Sequence, residues 1–268
     1  MVKTMKKFLS TAFVLTLCFL LLSGCGKSQA TKDAIAAIDA IGEVTVDSAD
    51  AIANAEKLYN ILTDAEKAQV DNRLALVDAR EAFDSLQDEI IYENAKVAYE
   101  KLNEVALLCE NGMDDIYGAW FFGIYEADDI KSYQDIYVQM ALKTPHTSST
   151  ELKDAAESAG GESLIGSLMK SDWQYCLYVI EEAITARGDY DTIQNNMKEA
   201  ERVLQELTKS YDDYTYYPKL KEYFAAVSSY VDFFVSPSGS FKQLSDTVNN
   251  YETNIRTYKS DVGFLFNK

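Results

Sequence analysis

One imidazole, four thiols and 43 carboxylates make up most of the reactive inventory of this 268-residue chain. The imidazole, His146, lies in Thr144-Pro145-His146-Thr147-Ser148-Ser149. Any Ser/His or Cys/His catalytic pair must use it, because a nucleophile needs an adjacent base. A zinc site needs about four ligands, and one His beside Cys109 and Cys176 does not supply them. No segment reads as a calcium-binding loop or a glycine-rich phosphate cradle, and nothing implies a cofactor. The acids occur as doublets: Asp114-Asp115, Asp128-Asp129, Glu181-Glu182 and Asp212-Asp213. Neighbours on a helix point about 100° apart, so a doublet does not make the facing pair, roughly 5–10 Å apart, of a glycoside hydrolase. These doublets read as solvated faces and helix ends.

Charge narrows the choice further. Lys+Arg total 25, and the formal net charge is −18. Lys3, Lys6 and Lys7 are the only charged residues among the first 25, so 22 bases face 43 acids beyond them. Such a surface repels nucleic acid and anionic lipid.

The first 25 residues carry the most specific signal. Three lysines precede a 15-residue apolar run, Phe8–Leu22, which ends in Leu22-Ser23-Gly24-Cys25. That run is shorter than the ~20 residues a membrane span needs, and it fits the apolar region of a signal peptide. The ending resembles the lipobox of bacterial lipoproteins. The resemblance implies cleavage between Gly24 and Cys25, a diacylglyceryl group on the Cys25 sulfur, and residence on the outer face of a bacterial cell membrane. Two acyl chains hold a protein stably where one does not. Residues 26–32 read as a polar tether spanning about 15 Å as a coil.

Residues 31–88 show one-sided stripes of three short helices: Ile35, Ile38 and Ile41, then Ile52, Ala55, Leu58 and Tyr59, then Leu74, Val77, Phe83 and Leu86. Asp47 or Ser48 is placed to cap the second helix, and Thr63 with Glu66 forms a capping box. Ile38, Ile41-Gly42, Val44-Thr45, Ser48, Ile52, Ala55, Tyr59, Leu62, Lys67, Val70 and Asn72 resemble a three-helix module repeated in surface proteins of Gram-positive gut bacteria. That resemblance implies a spacer or adhesive building block without catalytic residues.

Residues 89–268 change rhythm. Ile91, Ala95, Ala98, Leu102, Val105 and Cys109 step by four and three, as do Ile193 to Tyr211 and Phe241 to Leu265. Leu220, Phe224, Val227, Val231 and Phe234 form a shorter, wetter stripe, and helix 162–187 is apolar on two faces. A sustained repeat of 3.5 packs helices nearly parallel or antiparallel. Thr144-Pro145, Gly160-Gly161 and Ser236-Pro237-Ser238-Gly239 mark breaks, with caps at Ser148/Glu151 and Ser240/Gln243. The expected fold is all-α: a three-helix module followed by an elongated, mostly antiparallel helical bundle.

Within the bundle, Tyr117, Trp120, Phe121, Phe122 and Tyr125 crowd one helix among Gly112, Gly118 and Gly123. They read as a packed core with glycine notches or as a surface around something bound. Tyr211, Tyr214, Tyr216, Tyr217, Tyr223 and Tyr230 form a more polar set, able to stack on sugars or peptides while hydrogen-bonding. Arg187-Gly188-Asp189 matches the integrin tripeptide but reads locally as a helix end, a left-handed cap and a new helix start. Cys109 and Cys176 both sit on apolar stripes and read as two buried, unbridged thiols; the alternative is a disulfide, which would close a ~66-residue loop worth ~4 kcal/mol. The resulting expectation is a non-catalytic interaction or structural component of the cell envelope, with a protein, peptide or glycan partner. The alternatives are a carboxylate-dependent envelope hydrolase and a small-molecule or glycan carrier built around Trp120.

Overall fold

The computed structural model describes residues 26–127, 133–158, 173–210 and 216–266, with backbone alone at 133–134, 208–210 and 216. Among the described residues every regular element is a helix, so the chain is all-α. Contacts divide it into two compact units, Met1–Ile90 and Ile91–Lys268.

The first unit holds α1 (Gln29–Asp39), α2 (Ala49–Asn60), α3 (Asp64–Lys67) and the start of α4 (Arg73–Tyr125). Ser28 caps α1 by accepting from the Thr31 amide at 3.1 Å, and Thr31 itself is buried. Helix therefore begins inside the stretch expected to be a tether. Lys27 is already fixed by an ion pair to Asp71 at 2.7 Å. The capping box at α3 forms: the Thr63 amide donates to Glu66 Oε2 at 3.0 Å, and the Glu66 amide to Thr63 Oγ1 at 3.4 Å. The expected cap of α2 differs. Ser48 makes no side-chain bond into the helix; its hydroxyl accepts instead from the Thr45 amide at 2.9 Å, closing a 3₁₀ turn over Val46–Ser48. The core is Ala34, Ile38, Ile52, Ala55, Leu62, Val70, Leu76 and Phe83 with their neighbours. Two polar clamps lie over it. Arg80 grips Glu56 through two 2.7 Å bonds, and Asn72 Nδ2 donates to Ile35 O at 3.0 Å and Asp39 Oδ1 at 2.8 Å.

The third helix of the module and the first of the bundle are one element. Nothing between Leu86 and Ile91 is Gly or Pro, so no residue terminates α4, which runs for 53 residues. The second unit adds α5 (Tyr133–Ala141), α6 (Ser149–Ser158), α7 (Trp173–Arg187), α8 (Asp189–Ser210), α9 (Tyr216–Val235) and α10 (Phe241–Phe266). Of the two-faced helix expected over 162–187, residues 173–187 are described; they bury adjacent rows, Tyr175, Val179 and Ile184 beside Cys176, Ile180 and Ala183. The Gly160-Gly161 break lies outside the described residues.

Register between α4 and α10 is readable from three contacts. Tyr92 donates to Phe266 O at 3.2 Å, Tyr99 donates to Lys259 O at 3.2 Å, and the Tyr117 and Phe241 rings stack at 4.5 Å. As one number rises the other falls by the same amount, so the two helices run antiparallel in constant register. The Tyr230–Tyr251 stack at 5.3 Å makes α9 and α10 an antiparallel hairpin about the Pro237 turn. In α9 the buried stripe is Leu220, Tyr223, Val227, Tyr230 and Phe234, all 0% exposed. Phe224 and Val231, expected in the core, are only partly buried. Steps of 3,4,3,4 and 4,3,4,3 both join the same endpoints, and the tyrosine register is the one that packs.

Candidate functional site

The aromatic cluster gathers on the end of α4. Phe241, the first residue of α10, lies 4.5 Å from Tyr117, 5.7 Å from Trp120 and 6.2 Å from Tyr125 by ring centroids. Trp120 stacks on Trp173 at 5.2 Å and 19°. Lys143 Nζ sits 5.4 Å over the Phe121 ring and pairs with Glu126 at 2.7 Å. The glycines explain the assembly. A Cβ at Gly118 would collide with the carbonyl of Lys143, one at Gly112 with the Phe234 ring, and one at Gly123 would lie 2.7 Å from Trp173 Cα. They are notches for close backbone approach. Phe122 turns into the core, while Tyr125 is 61% exposed. Trp120 and Tyr125 thus belong to one half-open aromatic surface, whose rings and hydroxyls can stack on and hydrogen-bond a sugar or a side chain.

Among the described residues, the second tyrosine set does not form a surface row. Tyr223 and Tyr230 are in the core, and Tyr217 packs partly buried against it. Tyr223 donates to Asn103 Oδ1 at 2.8 Å. The Tyr230 hydroxyl is buried with no hydrogen-bond partner. Tyr211, Tyr214 and the side chain of Tyr216 lie outside the described residues, as do Gly24, Cys25, Asp128-Asp129 and Asp212-Asp213.

A polar network that the sequence did not announce holds α4, the 142–148 turn and the α7–α8 corner. Asp115 has 0% exposure. It accepts from the His146 amide at 2.9 Å and the Thr147 hydroxyl at 2.6 Å, with Arg187 Nη2 at 3.7 Å. Arg187 also donates to Thr147 Oγ1 at 2.5 Å and to Asp189 Oδ2 at 3.0 Å through Nε. Burial pushes the Asp115 carboxyl above the ordinary aspartate range, against the pull of Thr147, the His146 amide and Arg187. Gly188 takes φ +78°, which lets α8 start at once. Asp189 is the first residue of α8, and its carboxylate serves Arg187. The arginine of the adhesive-looking tripeptide is thus turned inward. The His146 ring nitrogen Nε2 lies 3.6 Å from Asp114 Oδ2. A clue did exist: Gly112, Asp115, Ala119 and Phe122 step by 3,4,3 and form a second buried row on α4.

Cys109 and Cys176 are buried thiols and are not joined in a disulfide. A Cβ at Gly123 would lie 3.3 Å from Cys176 Sγ, so Cys176 is level with position 123 of α4. Cys109 is fourteen residues away, about 21 Å along the helix, far beyond the ~7 Å that a disulfide spans. The intervening α5 and α6 shift the hairpin from the symmetric register that would pair them. Desolvation pushes the Cys109 thiol far up.

An acid-lined cleft of about 340 Å³ lies along α6 and α7, bordered by Glu151, Asp154, Glu182 and Arg187. Glu151 is the capping residue of α6, accepting from the Ser148 amide at 2.8 Å and hydroxyl at 2.6 Å, and these bonds hold its carboxyl below the usual range. Among the described residues no group of three or more His, Cys, Asp or Glu side chains is set to hold a metal ion, and no helix is long and apolar enough to cross a membrane. No protein-family model, curated protein or solved structure matches the chain.

Proposed function

We propose that the protein is a lipid-anchored, extracytoplasmic component of a bacterial cell envelope that works by binding rather than by catalysis. The observation carrying this reading is the lysine-led apolar run that ends in Leu22-Ser23-Gly24-Cys25. Cys25 holds the chain in the membrane through a diacylglyceryl thioether, and the helical body presents its faces to a protein, peptide or glycan. The half-open surface of Tyr117, Trp120, Tyr125 and Phe241 favours this reading, since aromatic residues of this kind anchor contacts in binding interfaces. The one fully buried acid described above, Asp115, is committed to holding three segments together.

The test is metabolic labelling with a palmitate analogue in the producing cell, followed by fractionation. Wild-type chain takes up label and sediments with membranes, while Cys25→Ser does neither. Label retained by Cys25→Ser, or an unprocessed chain in the cytosol, overturns the anchoring. Both tryptophans of the chain, Trp120 and Trp173, lie in the aromatic surface, so selectively excited tryptophan fluorescence reports on that surface. A glycan or peptide that shifts the emission, and fails to in Tyr125→Ala, identifies it as the contact.

A further inference from the structure

Exposed apolar side chains of the first unit gather close to where the chain leaves Cys25. Lys27 pairs with Asp71 at 2.7 Å, and Ser28 donates to Glu66 of α3 at 2.7 Å. The same Glu66 carboxylate accepts from the Thr63 hydroxyl at 2.8 Å. Residues 27 and 28 are therefore fixed against the connection from α2 to α4. Three residues reach at most about 10 Å, so this connection and the start of α1 are the parts of the unit held nearest to Cys25. Here Ile61 is 69% exposed and Leu74 71%, and Val77 follows one turn along α4 at 39%. A groove of about 370 Å³ is lined by Tyr59 and Asn60 of α2 and by Arg73, Leu76 and Val77 of α4. The end of α2 and the first turns of α4 thus share one surface, and Ile61 and Leu74 flank it. Exposed apolar side chains grouped in this way mark a contact, whereas scattered ones do not. Val46, also exposed, lies beyond the far end of α1, an 11-residue helix about 16 Å long.

Charge indicates what this face can meet. Residues 61–77 together with Lys27 hold three acids, Asp64, Glu66 and Asp71, and three bases, Lys27, Lys67 and Arg73. The rest of residues 26–90 holds eleven acids against three bases. The apolar side chains therefore lie on the neutral part of an acidic unit, which approaches a bilayer without the repulsion its other faces carry. We propose that Ile61, Leu74 and Val77 form a second membrane contact and dip into the interfacial layer of the leaflet that holds Cys25. The inference rests on the anchoring proposed above. A tether makes insertion an intramolecular event, so a few apolar side chains suffice where a free protein would need many. The acyl chains hold the chain in the membrane, and the apolar face fixes which way up the first unit stands.

The test uses the full chain, acylated in the producing cell and reconstituted into phosphatidylcholine vesicles. Ile61→Cys, Leu74→Cys and Val46→Cys each place one thiol on the surface for a fluorescent label, since Cys109 and Cys176 are buried. All three positions are exposed, and circular dichroism confirms the helical fold of each variant. A nitroxide carried within the lipid acyl chain quenches the labels at 61 and 74 about threefold or more above the label at 46, and aqueous iodide quenches in the reverse order. Lipid quenching at 61 or 74 no stronger than at 46, in a chain that floats with the vesicles, overturns the inference and leaves the anchor standing. A chain that does not float overturns both. Blue-shifted emission at 61 and 74 that the nitroxide leaves unquenched, and that fades as the chain is diluted in lipid, identifies a second copy as the occupant and also overturns the inference.

Discussion

Two hydrogen-bond donors and a guanidinium converge on one carboxylate at Asp115, and its removal leaves Arg187, 20% exposed, without its buried counter-ion. Asp115→Ala costs about 3 kcal/mol, the lower end for breaking a buried pair, read from denaturant unfolding. Tyr230→Phe moves the other way. It deletes a buried hydroxyl with no partner and raises stability by about 1 kcal/mol in the same assay. Acid separates two glutamates of opposite behaviour. The Arg80 hydrogen bond holds Glu56 below its ordinary value, so its contribution is present above the unfolded pKa of about 4.3 and is lost as pH falls through the folded value. Burial, Glu110 and Asp114 hold Glu252 above it, despite Arg256, so its contribution is full below about 4.3 and is lost as pH rises through the folded value. Unfolding curves between pH 3 and 7 therefore show Glu56→Gln losing least against wild type in acid. Glu252→Gln gains on wild type toward neutrality.

At the level of elements, helix propensity and packing disagree at Gly118. Alanine is the better helix former by ~1 kcal/mol, yet its methyl would occupy the place of the Lys143 carbonyl. Gly118→Ala lowers stability by about 2 kcal/mol or more, measured by thermal unfolding, because backbone rather than a flexible side chain must shift. Most elements were legible because their signals are local. The capping boxes at Thr63/Glu66, Ser148/Glu151 and Ser240/Gln243 form as read, and the 3–4 stripes of α4 from Ile91 to Cys109, of α8 from Ile193 to Leu207 and of α10 face the core, whereas Leu74 and Val77, read as core, are exposed and Leu76 and Ala79 are buried beside Phe83 instead. What was not legible depends on partners far away in sequence. The α9 stripe has two equally good registers, and only Asn103, 120 residues away, and the Tyr251 ring select tyrosines over Phe224 and Val231. The Asp115 network required knowing that residues 146–147 and 187 return to the same turn of α4. Cys109 and Cys176 stand as the favoured reading had them, buried and unbridged. The aromatic cluster around Trp120 was legible as a cluster, but its hub, Phe241, was not, since it opens the last helix.

Two compact units sharing one uninterrupted helix set the behaviour of the whole chain. Calorimetry resolves two transitions, and Ile52→Ala, which empties a fully buried site of the first unit, lowers only one of them. Cys109 and Cys176 resist alkylation in the native chain and react fully, without reductant, once it is unfolded. The start of the first unit has a further consequence. Lys27 is locked to Asp71, and Ser28 donates to Glu66 at 2.7 Å, so these contacts fix the chain two residues beyond Cys25. Two residues reach at most about 7 Å. Under the Cys25 anchor proposed above, Lys27 stays within that distance of the bilayer surface, and the protein searches sideways, in two dimensions.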